Sequence, residues 1–135
     1  LDRIDIQCDI QPVPYSLLKE EQPSESSAAI RERVLRARAI QHNRFAEYNK
    51  TAKNPIHCNA QMTPKLVREY CLIDAQGDKL LAYSMEKLGL SARAYDRILK
   101  VARTIADLAG ATDISAPHLM EAISYRNIDR EDWIQ

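Results

Sequence analysis

The sequence predicts a mainly α-helical protein, a small helical bundle of about four to five helices preceded by one short β-strand. Apolar residues recur at helical spacing in several segments, most clearly over residues 92–109. Serine or threonine precedes most of these segments and glycine follows two of them, as is usual at helix ends. Residues 3–10 instead alternate between apolar and polar side chains, which is typical of a half-buried strand.

The predicted strand ends at Pro12 and Pro14, which cannot continue a paired strand. Its apolar face is formed by Ile4, Ile6, Cys8 and Ile10. A single strand needs partner strands, so we expect them to lie upstream in a longer protein. We therefore divide the chain into a strand and linker at residues 1–23 and a helical domain at residues 24–135.

Capping residues mark the helices of the second part. A serine at position 26 or 27 caps a first helix that is expected to run to about Tyr48. Thr63-Pro64 begins a second helix, with threonine as N-cap and proline at the first helical position. The Gln-Gly-Asp stretch at residues 76–78 is expected to interrupt the chain before a third helix, which ends at Gly89.

The clearest helix covers about residues 92–109, between Ser91 as N-cap and Gly110. Its apolar stripe consists of Ala94, Ile98, Val101, Ala102, Ile105, Leu108 and Ala109, extended by Tyr95, Leu99 and Ala106. Its polar face consists of Arg93, Asp96, Arg97, Lys100, Arg103 and Thr104. Ser115 then caps a last helix, whose Leu119, Ala122 and Ile123 are expected to face the core.

The charge balance argues against a general attraction to polyanions. Lys+Arg and Asp+Glu both number 19, so the formal net charge is zero. No apolar run approaches the roughly 20 residues that a membrane-spanning helix needs. No signal peptide is evident at the N-terminus. We therefore expect a cytoplasmic protein.

Several kinds of chemistry have no support in the sequence. The three cysteines, Cys8, Cys58 and Cys71, stand at spacings that match no metal site, so we expect reduced thiols and no bound metal. The three glycines are too dispersed for a glycine-rich phosphate loop. No residues are spaced as a nucleophilic triad or as an acid–base pair. This chain alone is therefore not expected to be an enzyme.

Two arginines have positions that suit a phosphate contact. Arg93 lies near the second position of its helix, where the helix dipole disfavours a cation but free N–H groups bind anions. An arginine beside that helix end could add a charge-assisted contact to a phosphate. From position alone, Arg93 is either such a contact or a solvated surface residue. Arg3, between Asp2 and Asp5, is either functional or simply ion-paired.

Four segments of the chain match, in the same order, sequence motifs of a known protein family. They are Leu-Asp-Arg-Ile-Asp-Ile at 1–6, Glu-Ser-Ser-Ala-Ala-Ile-Arg-Glu-Arg-Val at 25–34, Asn-Ala-Gln-Met-Thr-Pro-Lys-Leu at 59–66, and Leu-Ser-Ala-Arg-Ala-Tyr-Asp-Arg-Ile-Leu-Lys-Val-Ala-Arg-Thr-Ile-Ala-Asp-Leu-Ala-Gly at 90–110. The chain thereby resembles the C-terminal (lid) domain of bacterial magnesium-chelatase-related AAA+ ATPases of the ComM/YifB type. The similarity covers nearly the whole chain.

The resemblance implies roles for three arginines. Arg3 would be the arginine finger, which reaches the γ-phosphate of the ATP held by a neighbouring subunit. Arg93 would be sensor 2, which contacts the phosphates of the ATP held by its own subunit. Arg97, one helical turn on, is a weaker candidate for the same contact. The strand would be the remnant of an upstream αβ ATPase core, and the helical bundle would be its lid.

The resemblance also implies cofactors and partners. The full-length parent would bind ATP and Mg²⁺ and form a ring of identical subunits, expected to be a hexamer. It would move DNA strands, as in branch migration during competence or recombination. The phosphate-binding motifs of the core would lie upstream of this chain, so neither ATP nor Mg²⁺ is expected on the fragment alone. No membrane partner is implied.

Two other classes of function stay open. The basic stretch at residues 31–44 favours a helical nucleic-acid-binding module, although its arginines spread around the helix and Glu32 and Glu47 interleave with them. A partner-binding adaptor without an ATPase role is the other class. A large exposed apolar patch on the helices would favour the adaptor.

Overall fold

The computed structural model describes residues 4–18 and 24–134, with all of their side chains except those of residue 17 and residues 127–134. In chain order, its α-helices are α1 (Tyr15–Leu18), α2 (Ser27–Thr51), α3 (Pro64–Tyr70), α4 (Ala75–Leu88), α5 (Ala92–Leu108) and α6 (Ala116–Ile134). A 3-10 helix, Asn59–Gln61, lies between α2 and α3. The mainly helical fold is confirmed, with α1 only a single turn and the other five forming the bundle. Within the described part, no helix is both long enough and apolar enough to cross a bilayer.

Helices α2, α3 and α5 begin at the side chains that the sequence predicts as caps. Ser26 Oγ accepts a hydrogen bond from Ala29 N at 3.1 Å, and Ser91 Oγ accepts one from Ala94 N at 3.3 Å. The hydroxyl of Thr63 caps α3 in the same way. Each cap satisfies a backbone N–H that the first turn of a helix otherwise leaves unpaired.

Helix α4 begins earlier than the sequence predicts. Asp74 Oδ1 accepts a hydrogen bond from Gly77 N at 2.7 Å, so Asp74 is the N-cap and residues 76–78 form part of the first turn. The expected interruption at residues 76–78 is therefore wrong. A Cβ atom on Gly77 would lie 2.9 Å from Leu119 Cδ1, so glycine here permits α4 to pack closely on α6. Gly89, with φ of 60°, ends α4 as predicted.

Helix α5 is the central element of the bundle and packs against α2, α3, α6 and the 3-10 helix. Its buried apolar residues are Ala94, Ile98, Leu99, Ala102 and Ala106, and they meet Phe45, Val67, Leu81 and Leu119 from the surrounding helices. Burying a large aliphatic or aromatic side chain contributes roughly 1.5–3 kcal/mol. The buried stripe ends earlier along α5 than predicted, because Leu108 and Ala109 are exposed.

The predicted strand is not confirmed. Residues 4–10 form no strand, and the described part of the chain contains no strand with which they could pair. The backbone of this segment is instead held at Gln7, whose N–H donates to Tyr125 O at 3.0 Å. The face predicted to be buried is largely exposed, with Ile4, Ile6 and Ile10 at 46%, 52% and 88%.

A buried polar cluster joins α2, the 3-10 helix and the last turn of α5. The side chain of Asp107 is fully buried and accepts hydrogen bonds from Arg44 Nη2 at 2.6 Å and Arg44 Nη1 at 2.8 Å. Asn59 Nδ2 donates to the same carboxylate at 2.9 Å and Asn59 Oδ1 accepts from Arg44 Nη1 at 2.9 Å. Arg103 Nε lies 3.3 Å from Asp107 Oδ1. We call Arg44, Asn59, Arg103 and Asp107 the Asp107 cluster.

The sequence places Arg103 on the polar face of α5, but its side chain is buried. Its Nη1 donates to Thr112 O at 3.1 Å and its Nη2 donates to Ala111 O at 3.0 Å, so Arg103 also fixes the chain that leaves α5. Buried guanidinium groups are tolerated where a carboxylate and several acceptors surround them. These partners are close in the chain, with Asp107 one turn on in α5 and the two carbonyls just beyond its end, but periodicity alone does not show that this part of the polar face is covered.

The Asp107 cluster predicts a large effect of a nearly isosteric change. In Asp107→Asn, Arg44 and Arg103 lose the buried carboxylate that compensates them, and the free energy of unfolding is expected to fall by about 3–5 kcal/mol. Urea denaturation of the chain measures this. The matched control is Asp113→Asn, which removes an exposed carboxylate just after the same helix and should stay within about 0.5 kcal/mol of wild type. Wild-type stability in Asp107→Asn would contradict the interpretation.

The thiol of Cys71 predicts a pH dependence. Cys71 is buried, and desolvation raises its pKa from an ordinary 9.0 to about 11, against the lowering influence of Arg103 and Arg44. Above pH 9 the unfolded chain loses this proton before the folded chain does, so the free energy of unfolding falls as pH rises towards 11. Relative to Cys71→Ala, the wild type should lose about 2 kcal/mol between about pH 8 and about pH 10.5. A pH-independent difference between the two proteins would contradict this.

Candidate functional site

The candidate site lies at the N-terminal end of α5, where Arg93 is the second helical residue. Ser91 caps this end and Ala94 is buried, so the first turn is anchored while the Arg93 side chain is exposed. The free N–H groups and the helix dipole make such an end favourable for an anion. They disfavour a cation by roughly 0.3–1 kcal/mol when no anion is bound. An exposed arginine at this position is therefore well placed to share an anion with the helix end.

Arg93 lines a polar groove of about 250 Å³. Its other lining residues are Asp96, Arg97 and Lys100 of α5, together with Asp5 and Ala60. The four residues of α5 are spaced at i, i+3, i+4 and i+7, which places them on one face of the helix. We call this the α5 groove; three cations against two carboxylates make its lining net positive.

The chemistry of the α5 groove suits phosphate oxygens. Guanidinium groups bind phosphate as a planar fork, and an ammonium group binds it as a point charge. Lys100 Nζ donates to Ala60 O at 3.2 Å, which keeps this ammonium group at the rim beside the 3-10 helix. The lining contains no aromatic or large apolar side chain on which a nucleobase could pack. The groove therefore offers charged partners to an anion and no surface on which a base could stack.

Arg97 lies in the α5 groove and is held by a carboxylate of the N-terminal segment. Its Nη1 donates to Asp5 Oδ1 at 2.7 Å, with both side chains partly exposed. Arg126 Nη1 lies 3.8 Å from the same oxygen and donates to Ile4 O at 3.2 Å. A partly exposed ion pair of this kind contributes up to about 1 kcal/mol. Arg97 thus has a protein carboxylate as its partner, whereas Arg93 is the more exposed of the two arginines.

Arg3, the predicted arginine finger, lies outside the described residues. The segment that follows it directly does lie against the bundle, through the contacts of Ile4, Asp5 and Gln7 with α5 and α6. The structure therefore brings Arg93 and Arg97 together in one groove and places the continuation of the Arg3 segment at the same groove.

Four lining or flanking residues were not singled out as site residues from the sequence: Asp5, Asp96, Lys100 and Arg126. The helical wheel of α5 does place Asp96 and Lys100 on the face of Arg93, so their spacing could have identified them. Asp5 and Arg126 could not be found in this way. They lie 92 and 29 residues from Arg97 in the chain, and only the packing of the segment on α5 and α6 joins them.

The positively charged surface of α2, the helix that contains the basic stretch at residues 31–44, is less continuous than the sequence indicates. On α2, Arg33 is ion-paired with Glu25, and Arg36 lies 3.9 Å from Glu32. Arg44 points into the Asp107 cluster. These two ion pairs and the inward turn of Arg44 therefore reduce the positive charge that a nucleic-acid backbone would meet on α2.

Two apolar grooves lie beside the exposed side chain of Leu108. One runs between α2 and α5, has a volume of about 290 Å³ and includes Val34 and Ala37 in its lining. The other, of about 260 Å³, includes Ile105 of α5 and Tyr125 of α6. Both are open to the surface, and they are the feature of the described residues that fits a partner-binding role.

Comparisons with known proteins agree with the pattern in the sequence. Residues 24–126 match the family described as Magnesium chelatase, subunit ChlI C-terminal. The uncharacterized protein YifB of Escherichia coli (strain K12) is 41% identical over 131 residues, which are 96% of this chain and 24% of that protein. The competence protein ComM of Haemophilus influenzae is 40% identical with the same coverage of both chains. An uncharacterized protein of Mycobacterium tuberculosis is 27% identical over 126 residues, 93% of this chain and 24% of that protein.

The chain spans about a quarter of the length of these relatives. The family match begins just before α2, includes the Asp107 cluster and the α5 residues of the groove, and ends within α6. With most of its length matched, the chain belongs to the family of the magnesium chelatase subunit ChlI C-terminal domain.

Proposed function

We propose that this chain is the C-terminal lid of a longer, ring-forming AAA+ ATPase, and that the α5 groove receives the phosphates of ATP. In this proposal residues 1–23 connect the upstream αβ core to the lid, and residues 24–135 form the lid. The observation that carries the proposal is the exposed Arg93 at the capped N-terminus of α5, in a groove with two further cations. The family membership and the length of the relatives support it.

In the proposed ATPase, Arg93 acts as the sensor-2 arginine. Its guanidinium would bind phosphate oxygens of the ATP held by its own subunit, beside the N–H groups of the helix end. Lys100, two turns further along the same face of α5, would add a second positive charge. Arg97 contributes less in this proposal, because Asp5 already occupies its guanidinium at 2.7 Å.

Arg3 is proposed to act in the neighbouring active site. An arginine that reaches the γ-phosphate from another subunit stabilises the charge that develops during phosphoryl transfer. ATP would bring the Mg²⁺ that phosphoryl transfer requires, held by groups of the upstream core. The subunits would form a closed ring, since each finger must meet the ATP site of the next subunit. The proposed number of subunits is six.

The proposed work of the ring is the movement of DNA strands, as in branch migration. The support is the similarity to the competence protein ComM of Haemophilus influenzae. A lid that closes on ATP and opens after hydrolysis is a rigid-body device that can drive such movement. DNA contact by the basic helix is not part of the proposal, because ion pairs and the inward Arg44 reduce the charge of that face.

A partner-binding module without an ATPase role is the second candidate. The two apolar grooves beside Leu108 favour it. The two candidates differ in the residues that they make important. Substitution of the groove cations impairs the ATPase, whereas substitution of Leu108 impairs the adaptor.

The proposal is tested by ATP hydrolysis in the full-length protein that carries Arg93→Ala. Loss of a charge-assisted phosphate contact, worth about 1.5–3 kcal/mol, is expected to lower turnover by about 10- to 100-fold. The matched control is Arg68→Ala, which removes an exposed arginine of α3 outside the groove and should leave turnover unchanged. Unchanged turnover in Arg93→Ala, with the ring assembled, would return Arg93 to the class of solvated surface arginines.

The isolated chain provides a second test. We expect it to hydrolyse no ATP and to bind ATP weakly, because the α5 groove offers partners to the phosphates and none to the base. Titration calorimetry with ATP and with tripolyphosphate measures both affinities, which should be similar. Tight binding of ATP by this chain would contradict the claim that the main nucleotide site lies in the upstream core.

A further inference from the structure

Asp5 places a carboxylate of the protein itself in the α5 groove. Its Oδ1 accepts a hydrogen bond from Arg97 Nη1 at 2.7 Å, and Arg126 Nη1 lies 3.8 Å from the same oxygen. Arg126 also donates to Ile4 O at 3.2 Å, which holds the backbone beside Asp5 against α6. One guanidinium group of the groove therefore already has an anion as its partner, and that anion belongs to the N-terminal segment of the chain.

The ion pair between Asp5 and Arg97 is exposed enough to open. The side chain of Asp5 is 41% exposed and that of Arg97 is 30% exposed. Water screens a pair of this kind, so breaking it lowers the affinity of a competing anion by only about fivefold or less. The segment keeps another anchor, because Gln7 N donates to Tyr125 O at 3.0 Å. Asp5 can therefore turn towards solvent while the segment stays on the bundle.

The cations of the α5 groove are spread along the helix. With a rise of about 1.5 Å per residue, Arg97 lies about 6 Å from Arg93 along the axis of α5, and Lys100 lies about 10.5 Å from it. At this spacing, a single phosphate held by Arg93 leaves the pair of Asp5 and Arg97 intact. A chain of three phosphates, in contrast, extends along the groove and competes with the Asp5 carboxylate for Arg97.

We propose that Asp5 is an internal competitor for Arg97, which makes the α5 groove select a triphosphate chain, whether inorganic or part of a nucleotide, over a single phosphate. This inference rests on the proposed function. A triphosphate displaces the carboxylate and gains the second guanidinium group, which binds phosphate oxygens as a fork. Displacement also changes the charge of the lining from three cations against two carboxylates to three against one. The gain is largest for the ligand with the highest negative charge.

The first test follows side-chain signals of this chain by NMR at low ionic strength, where screening is weakest. Orthophosphate is expected to shift the Nε–H signal of Arg93 alone. Tripolyphosphate should shift the Nε–H signals of Arg93 and Arg97 and also the carboxyl carbon of Asp5, because this carboxylate loses its hydrogen bond. ATP should act as tripolyphosphate does, since the groove offers its base no stacking surface. The carboxyl carbon of Asp9, which accepts from Gln11 Nε2 at 2.9 Å, is the internal control and should not shift.

The second test compares affinities for tripolyphosphate in the same chain. Asp5→Asn is expected to raise the affinity about three- to tenfold, because it removes both the competitor for Arg97 and a negative charge. The effect of charge alone is measured by Asp96→Asn, which removes the other carboxylate of the groove and should give a smaller gain. In an Arg97→Gln background, the gain from Asp5→Asn should shrink to that smaller value. For orthophosphate the two single variants should give equal gains.

The outcomes separate this inference from the proposed function. If tripolyphosphate leaves the Arg93 signal unchanged, the α5 groove does not receive phosphates, and the proposed function fails together with this inference. If the Arg93 signal shifts but the carboxyl carbon of Asp5 does not, the displacement of Asp5 alone is overturned. Equal gains in tripolyphosphate affinity from Asp5→Asn and Asp96→Asn would also overturn it. Orthophosphate that shifts the Arg97 and Asp5 signals as strongly as tripolyphosphate does would overturn the selection of a triphosphate chain.

Discussion

Asp107 brings two guanidinium groups and an amide to one fully buried carboxylate, and this contact fixes three elements at once. Arg44 comes from α2, Asn59 from the 3-10 helix and Arg103 from α5 itself. Charges removed from water need compensation, so an arrangement of α2 or of the 3-10 helix that leaves any of these groups unpaired is strongly disfavoured. Apolar packing around α5 supplies most of the stability, while the Asp107 cluster selects one arrangement of the packed helices.

The α5 groove depends on this constraint. Asn59 is held by Asp107, and the next residue, Ala60, forms a wall of the groove and accepts a hydrogen bond from Lys100. The last turn of α5 is therefore anchored in the core, while its first turns present Arg93, Arg97 and Lys100 to solvent. A site on a rigid, well-anchored helix holds its charged groups more accurately than a site on a loop.

The sequence predicts the features that are local and misses those that depend on distant partners. The caps at Ser26, Thr63 and Ser91 follow from spacing alone, and the structure confirms them. The apolar stripe of α5 is confirmed in its middle, while Tyr95, Leu108 and Ala109 at its ends are exposed. The break at residues 76–78 was wrong because Asp74 caps the helix before Gly77, whose small size serves close packing on Leu119. The strand at residues 3–10 is not confirmed, since alternation shows which side chains share a face but cannot supply a partner strand.

In the candidate site, too, the sequence predicts the local arrangement and misses the contacts with other parts of the fold. Arg93, Arg97 and the polar face between them could be placed on one side of a helix from the sequence. The inward turn of Arg44 and the meeting of Asp5 with Arg97 and Arg126 could not, because these contacts join residues far apart in the chain. The partners of Arg103 lie within nine residues of it, but a helical wheel does not show that the rest of the fold covers this part of α5. A helical wheel shows the face on which an arginine lies, but not the groups that accept its hydrogen bonds.

The proposed function depends on contact between the Arg93 guanidinium and the phosphates of ATP in its own subunit. The most direct measurement is a structure of the full-length ring with a non-hydrolysable ATP analogue. We expect an Arg93 guanidinium nitrogen to lie about 2.7–3.2 Å from a phosphate oxygen, at the N-terminal end of α5. A nucleotide-filled ring in which Arg93 points to solvent and the α5 groove faces away from the phosphates would contradict it.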